Sequence, residues 1–285
     1  MNSIAWRKNL NQLMKILGLL GLFLSLMVLL VLLGDLALRG ASRIDWNFLT
    51  QFPSRRASSA GMLSAWVGTL WVMVITAVMT IVVGVSAAIY LEEYAKPSRW
   101  TRLIELNILN LSAMPSILYG LLALGIFVHQ LKLGPSLLTA GLTLSLLVLP
   151  IVIVSSREAF RSLPNNLKEA SYALGATQFQ TLLSYQLPSA LSGILTGVIL
   201  ALSRAIGETA PLITIGALTY IAFLPQGLMD PFTVIPIQLF NWLSRPQPEF
   251  HTNAAAAGVV LLTLTLLLNL IAIIIRLRVR RTIKW

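Results

Sequence analysis

The sequence predicts an all-α, polytopic transmembrane helical bundle of about six spans, on three observations. Hydrophobic residues fill 56% of the 285 positions. Charged residues fill 11%, against about 25% in a typical soluble domain, and mean hydropathy is +0.81. Runs free of Asp, Glu, Lys and Arg recur at the roughly 20-residue length that a helix needs to cross a bilayer.

Six such spans can be drawn in order. The first, Ile16 to Leu33, follows Arg7, Lys8 and Lys15. Its apolar core exceeds the 7 to 15 residues typical of a cleaved signal peptide, and "GDLALRGAS" is a weak cleavage pattern, so it reads as a retained span. Ala65 to Tyr90 is the second and Leu106 to Val128 the third. Pro115 interrupts the third about a third of the way along and reads as a packed kink, with Tyr119 offering a polar tip beyond it. Pro135 to Ser156, Leu187 to Leu218 and Ala254 to Ile275 complete the set. Between the last two, Ile221 to Asn253 reads as an outer amphipathic lip in which Phe232, Phe240 and Trp242 are interface anchors or a docking surface.

Basic residues set the expected orientation, because cytoplasmic loops carry the excess of Lys and Arg. The side with both termini and the loops at 91–105 and 157–187 holds 14 of them, and the opposite side holds 6. Both termini are therefore expected in the cytoplasm. The loop with Arg39, Arg43, Arg55 and Arg56 runs against this bias.

The net charge of +11 flanks apolar spans instead of forming a stripe with interleaved aromatics, which points to membrane lipid headgroups and away from nucleic acid. The absence of cysteine excludes disulfides, thiolate metal sites and cysteine nucleophiles. Asp35 falls at the outer end of the first span, where a charge costs little. His129 and His251 are far apart and without HExxH spacing, so no metal site and no cofactor is expected. No GxxxxGK[ST] pattern occurs, so ATP has no visible phosphate-binding loop here.

The loop at about 164–188, "NNLKEASYALGATQFQTLLSYQ" with its flanking prolines, is too polar for a span but carries helix signals. Asn166 can cap a first helix with Glu169 as its third residue. Gly175 stands where a left-handed C-terminal residue is expected, and Thr177 with Gln180 matches a capping box for a second helix. Leu167, Ala170, Ser171 and Leu174 share one face of the first helix. A protein-docking helix and a helix resting on the membrane surface both fit that face.

Within the fifth span, "SRAIGETAPL" puts Arg204 and Glu208 one helical turn apart. An Arg at a helix centre costs roughly 2.5–3.5 kcal/mol, so such residues face a protein interior or a water-filled path. Their order is the weaker one for a helical ion pair, which leaves mutual neutralisation as only part of their role. Gly193, Gly197 and Ala201 form a small-residue ridge for close helix packing. Pro211 cannot donate to the carbonyl of Gly207, which predicts a kink or break beside Glu208. Broken backbone beside an intramembrane charge is typical of substrate paths. A guanidinium fork suits an oxyanion, phosphate, sulfate, molybdate or an organic acid, and Glu208 could accept the proton-bearing oxygen of hydrogen phosphate. A buried pair that fixes helix register is the structural alternative.

"EASYALGA" (169–176) resembles the EAA loop of ABC importer permeases, with Glu169, Ala170 and Gly175 matching and Ser171 in place of the second Ala. "RAIGETAPL", "AMPSILYG" (113–120) and "DPFTVIPIQLFNW" (230–242) leading to "AAAAG" resemble the permeases of phosphate ABC importers. The resemblance covers about Ala65 to Ile275. It implies a type I ABC importer (MetI-like) permease core at 61–276, preceded by a segment, span and outer loop at 1–60 and followed by a basic cytoplasmic tail at 277–285. It also implies a coupling loop that docks on a separate ATPase through Glu169, Ala170 and Gly175, and a phosphate path at Arg204, Glu208 and Thr209. The implied partners are a homologous permease subunit, two ATP-binding subunits and an external phosphate-binding protein. The chain itself would then be a transport subunit of the bacterial inner membrane and no enzyme. A permease for sulfate or molybdate, a membrane-embedded lipid phosphohydrolase and a membrane scaffold are the rivals.

Overall fold

The computed structural model describes residues 2–282, and the last three residues of the basic tail lie outside them. Among the described residues no strand forms beyond one isolated bridge, Ser136 with Pro231. Twelve α-helices run in the order α1 (Asn2–Ala41), α2 (Trp46–Thr50), α3 (Leu63–Ile89), α4 (Arg99–Ala113), α5 (Ser116–Ala123), α6 (Leu137–Arg161), α7 (Asn165–Ala173), α8 (Gln178–Thr181), α9 (Leu187–Ala205), α10 (Ala210–Thr214), α11 (Ile235–Leu243) and α12 (Pro248–Thr282). Among the described residues five helical runs are long and apolar enough to cross a membrane, and a sixth span arises if α4 and α5 are counted as one.

α6 is the central helix, packed on α3 along one side and on α9 along another. Small residues allow the second contact. A side chain at Gly193 would strike Ala159 and one at Gly197 would strike Ser155, so the expected glycine ridge is the surface on which α9 meets α6. Val148, Val152, Ile194, Val198 and Ala201 fill the space between them. α1 lies against α12, and its span window buries nothing within the chain. Its apolar surface belongs to lipid or to another protein.

Three expectations change. The third span bends by 108° between α4 and α5, so Pro115 marks a break where a packed kink was expected. Proline both removes the donor for the carbonyl of Leu111 and clashes with it. The Tyr119 hydroxyl supplies the replacement by donating to that carbonyl at 2.6 Å, which holds the bend open. The fifth span is not one helix from Leu187 to Leu218. α9 ends at Ala205, and Pro211, which has no N–H for the carbonyl of Gly207, cannot continue the ladder. In the expected outer lip, Phe232 and Trp242 are core residues with 1% and 0% exposure, while Phe240 alone faces outward. The Thr69 hydroxyl accepts from Ile235 N at 2.9 Å, which draws the start of α11 onto α3 and buries both rings.

At the end of the bundle where α3 begins, Arg43 ties the loops together. Its guanidinium donates to Asn253 Oδ1, Asp45 Oδ1 and the carbonyls of Ser58 and Ala60, all within 3.1 Å, and it covers the Phe48 ring. One of the arginines that opposed the charge bias is therefore a structural cation.

Candidate functional site

Arg204 occupies the last turn of α9, and Glu208 lies beyond the helix end in the Gly207–Thr209 turn. The two still meet. Arg204 Nε is 3.7 Å from Glu208 Oε1, a contact too long for a hydrogen bond, and the Arg204 side chain remains 47% exposed. Most of the five guanidinium donors are thus unspent. The Thr209 hydroxyl turns back to the carbonyl of Gly207 at 3.4 Å, so the acceptor orphaned by Pro211 has a weak side-chain partner. Arg204, Glu208 and Thr209 are brought together at a helix end and not, as the spacing implied, along one helix face.

This helix end faces the other one. α5 packs on α10, and Gly120 lies so close to Pro211 and Thr214 that no side chain would fit. The break at Pro115 and the break at Gly207 are therefore two halves of one irregular region. Irregular backbone at membrane depth is tolerated only where protein covers it or water reaches it.

The depth of Arg204 follows from the antiparallel neighbour α12. The Ser203 hydroxyl donates to Asn269 Oδ1 at 2.6 Å, and Arg276 donates to Thr196 Oγ1 at 3.1 Å. Arg204 is two turns beyond Thr196, about 12 Å along the axis. Residues 254–268 of α12, which carry no charged side chain, continue past it.

The second cluster lies at the opposite end of α9, 19 residues or about 28 Å away. Gly175 adopts φ +86°, the left-handed conformation expected at the end of α7, and the Thr177–Gln180 capping box is present at the start of α8. The start of α7 differs: Pro164, with φ −65°, stands at the cap position, and no side chain caps the helix. The fixed proline φ already points the chain into the helix, and the first N–H groups of this exposed turn meet solvent. Leu167, Ala170 and Leu174 are exposed as the face pattern predicts, with Glu169 and Phe179 beside them in sequence also exposed. Ser171 departs from that face. Half-buried, it hydrogen-bonds Thr181 at 2.8 Å.

The sequence reading missed the residue that joins this loop to the bundle. Glu93, in a π-helical turn at the end of α3, has a side chain only 4% exposed. One carboxylate oxygen receives Lys168 Nζ of α7 at 2.5 Å, and the other receives Gln186 Nε2 at 2.8 Å from the turn that leads into α9. Its backbone carbonyl accepts from the Gln178 amide of α8. Beside it, Glu92 and Glu105 share Arg157 at 3.2 and 2.6 Å, which links α3, α6 and α4. Charge-assisted bonds of low exposure are among the stronger polar contacts. No motif reveals such a node, because its partners lie 75 and 93 positions away.

The expected absence of a metal site concerned two histidines. His129 contacts the carbonyl of Leu124 and His251 that of Arg245. Among the described residues no group of three metal-ligating side chains converges.

Comparison with known proteins adds the family. The model of the binding-protein-dependent transport system inner membrane component matches residues 80–284. The chain is 33% identical over 258 residues to the phosphate transport system permease protein PstA of Haemophilus influenzae, covering 90% of each chain. It is 31% identical over 257 residues to the protein of the same name from Pasteurella multocida, again covering 90% of each. Among solved structures, a bacterial ABC transporter involved in import of the acidic polysaccharide alginate matches with a TM-score of 0.66 at 15% identity. That match covers 97% of this chain and 99% of the other. The inward-facing MetNI methionine ABC transporter matches with a TM-score of 0.61 at 17% identity, covering 74% and 94%. These two likenesses concern the fold. With its broken helices, its exposed EAA-type loop and a family match over most of its length, the chain belongs to the binding-protein-dependent transport system inner membrane components, multi-pass permeases of ABC importers.

Proposed function

We propose that the chain is a permease subunit of an ATP-driven inorganic phosphate importer. It forms the translocation path with a homologous permease subunit, with two ATP-binding subunits, one of them at the α7 loop, and an external phosphate-binding protein on the other face. The single observation that carries this reading is the largely unspent guanidinium of Arg204 at a helix break about 12 Å beyond Thr196, the residue that Arg276 contacts. The names of the relatives support phosphate as the cargo. Both termini and the α7 loop lie in the cytoplasm, in keeping with the distribution of basic residues.

Arg204 offers bidentate donors to the tetrahedral anion, and Glu208, if it accepts a proton-bearing oxygen, favours hydrogen phosphate over fully ionised sulfate. The exposure of Arg204 in the single chain fits a path completed by the second permease, whose side chains would face it. Coupling runs from Glu169, Ala170 and Gly175 on the ATPase side through Lys168 to Glu93 and Gln186, and from there into α9. A displacement of α7 is thereby transmitted to the helix that carries Arg204. ATP binding biases the inward–outward equilibrium only through the difference in contacts at that loop.

Uptake of labelled phosphate into vesicles containing the assembled complex tests the reading. Unlabelled phosphate or arsenate should compete, and a large excess of sulfate or molybdate should not. Accumulation of labelled sulfate at a comparable rate would replace phosphate by another oxyanion.

A further inference from the structure

α4 buries none of its 15 residues within the chain, yet it is fixed at one level of the bundle. Its Glu105 holds Arg157 at 2.6 Å, one turn before α6 ends, and its Ile108 packs against Ala88, Leu91 and Ile153. This is the end of the bundle that leads into α7. α5 runs back along α6: Tyr119 shares a core with Leu147 and Val148, and Ala123 shares one with Ala140 and Leu144. Because α5 follows α6 and the chain turns by 108° between α4 and α5, α4 lies nearly flat in the membrane plane. The 8 residues of α5 and the 7 of the π-helical turn after it reach at most about 22 Å, short of the roughly 30 Å hydrocarbon layer. A helix lying about 5–10 Å into the interface supplies the remainder.

The flanks of α4 differ in the sense that such a position requires. Thr101, Glu105 and Ile108, its only partly buried residues, form the face toward the bundle. On one flank Leu109 borders a cleft of about 260 Å³ with Glu158 and Arg161, whose side chains are 66% and 50% exposed, so this flank faces water. At 3.6 residues per turn, Trp100, Ile104 and Leu111 fall on the opposite flank, away from those charges. All three are exposed, Trp100 at 77%. Asn107 falls among them and spends its amide locally, donating to the carbonyl of Leu103 at 2.8 Å.

Three cations crowd the start of this helix, Lys96, Arg99 and Arg102, around Trp100. The nearby acids are engaged elsewhere. Glu92 and Glu105 hold Arg157, Glu92 also holds Arg161, Glu93 holds Lys168, and Glu158 lies 3.6 Å from Arg161. Glu169 stands exposed on α7. Among the described residues Lys96, Arg99 and Arg102 have no carboxylate partner. We infer that α4 is an in-plane anchor, and no part of a span, that binds anionic phospholipid headgroups through Lys96, Arg99 and Arg102 and sets Trp100, Ile104 and Leu111 among the acyl chains. Basic residues beside an exposed tryptophan and an aliphatic flank are the pattern of a helix at a negatively charged membrane surface. A protein partner would have to bring matching carboxylates, whereas anionic lipid supplies the charge at the depth where α4 already lies. The anchor fixes the start of α5, the helix packed on α10, whichever anion the permease carries.

The test places the assembled complex in vesicles of phosphatidylglycerol and phosphatidylcholine at equal mole fraction, with one or the other brominated on its acyl chains near the headgroup. The Trp100 emission is the difference between the parent and Trp100→Phe. Brominated phosphatidylglycerol should quench it at least about twice as strongly as brominated phosphatidylcholine. In the Lys96→Gln/Arg99→Gln/Arg102→Gln variant the two lipids should quench it equally. Equal quenching in the parent overturns the headgroup preference, and no quenching by either lipid gives the surface to a partner subunit or to solvent. In this cysteine-free chain, spin labels at Ile104→Cys and Leu111→Cys test the plane. They should report the same depth, and a separation of about 10 Å would make α4 part of a span and overturn the anchor. Neither readout involves the cargo, so failure here leaves the importer reading intact.

Discussion

Arg204 differs from Arg39, Arg43, Arg157 and Arg161, each with a carboxylate oxygen within 3.1 Å, because its own ionic contact, at 3.7 Å, is looser than a hydrogen bond. Arg43, Arg157 and Arg161 each hold a carboxylate within 3.1 Å, and their role is structural. Arg204→Lys keeps the charge but loses the planar fork, so it should retain weak transport with raised half-saturation for phosphate. Removing Arg43 should instead lower stability, by about 1–3 kcal/mol, because Asn253, Asp45 and three loop carbonyls each lose a donor. Thermal unfolding of Arg43→Ala against the parent would measure this, and an unchanged transition would refute the brace. The charged pair was legible in the sequence, since charges are rare in an apolar run. Its geometry was not: spacing alone put both side chains on one helix face, and the helix ends between them.

At the scale of elements, the features that local rules govern were legible and those that long-range contacts govern were not. The left-handed Gly175 and the Thr177–Gln180 capping box follow from a few neighbouring residues. The Glu93 node, the Ser203–Asn269 bond and the Arg43–Asn253 bond span 75, 66 and 210 positions, and nothing local announces them. The severity of the Pro115 bend was also hidden, because it depends on the Tyr119 hydroxyl replacing the lost donor. If Glu93 transmits motion from α7 to α9, Lys168→Glu should keep assembly and ATP hydrolysis but lower phosphate moved per ATP. The exchanged pair Glu93→Lys with Lys168→Glu should recover part of it. A double variant no better than the singles would remove the node from the coupling route. Gly175→Val meets a φ that costs a β-branched residue roughly 1–2 kcal/mol, and it should loosen the α7 hinge and weaken ATPase docking. Co-purification of the ATP-binding subunits with that variant checks the outcome.

The molecule as a whole is a helical core of α3, α6 and α9 with a loop at each end, Arg204 between them and one long helix, α1, leaning on α12. The orientation rests on charge distribution, and the absence of cysteine makes it directly measurable. A single Ser58→Cys should react with a membrane-impermeant thiol reagent in intact cells. Gln180→Cys should react only after the membrane is opened. The reverse pattern would invert the bundle.

The central claim is that a cation stands in the membrane because an anion must pass it. Its most direct test is labelled phosphate uptake by the Arg204→Gln complex, with ATPase activity measured in the same vesicles. The account predicts uptake lost at least a hundredfold, on the order of 3 kcal/mol, while the complex assembles and hydrolyses ATP. Uptake at the parental rate in an assembled complex would contradict it.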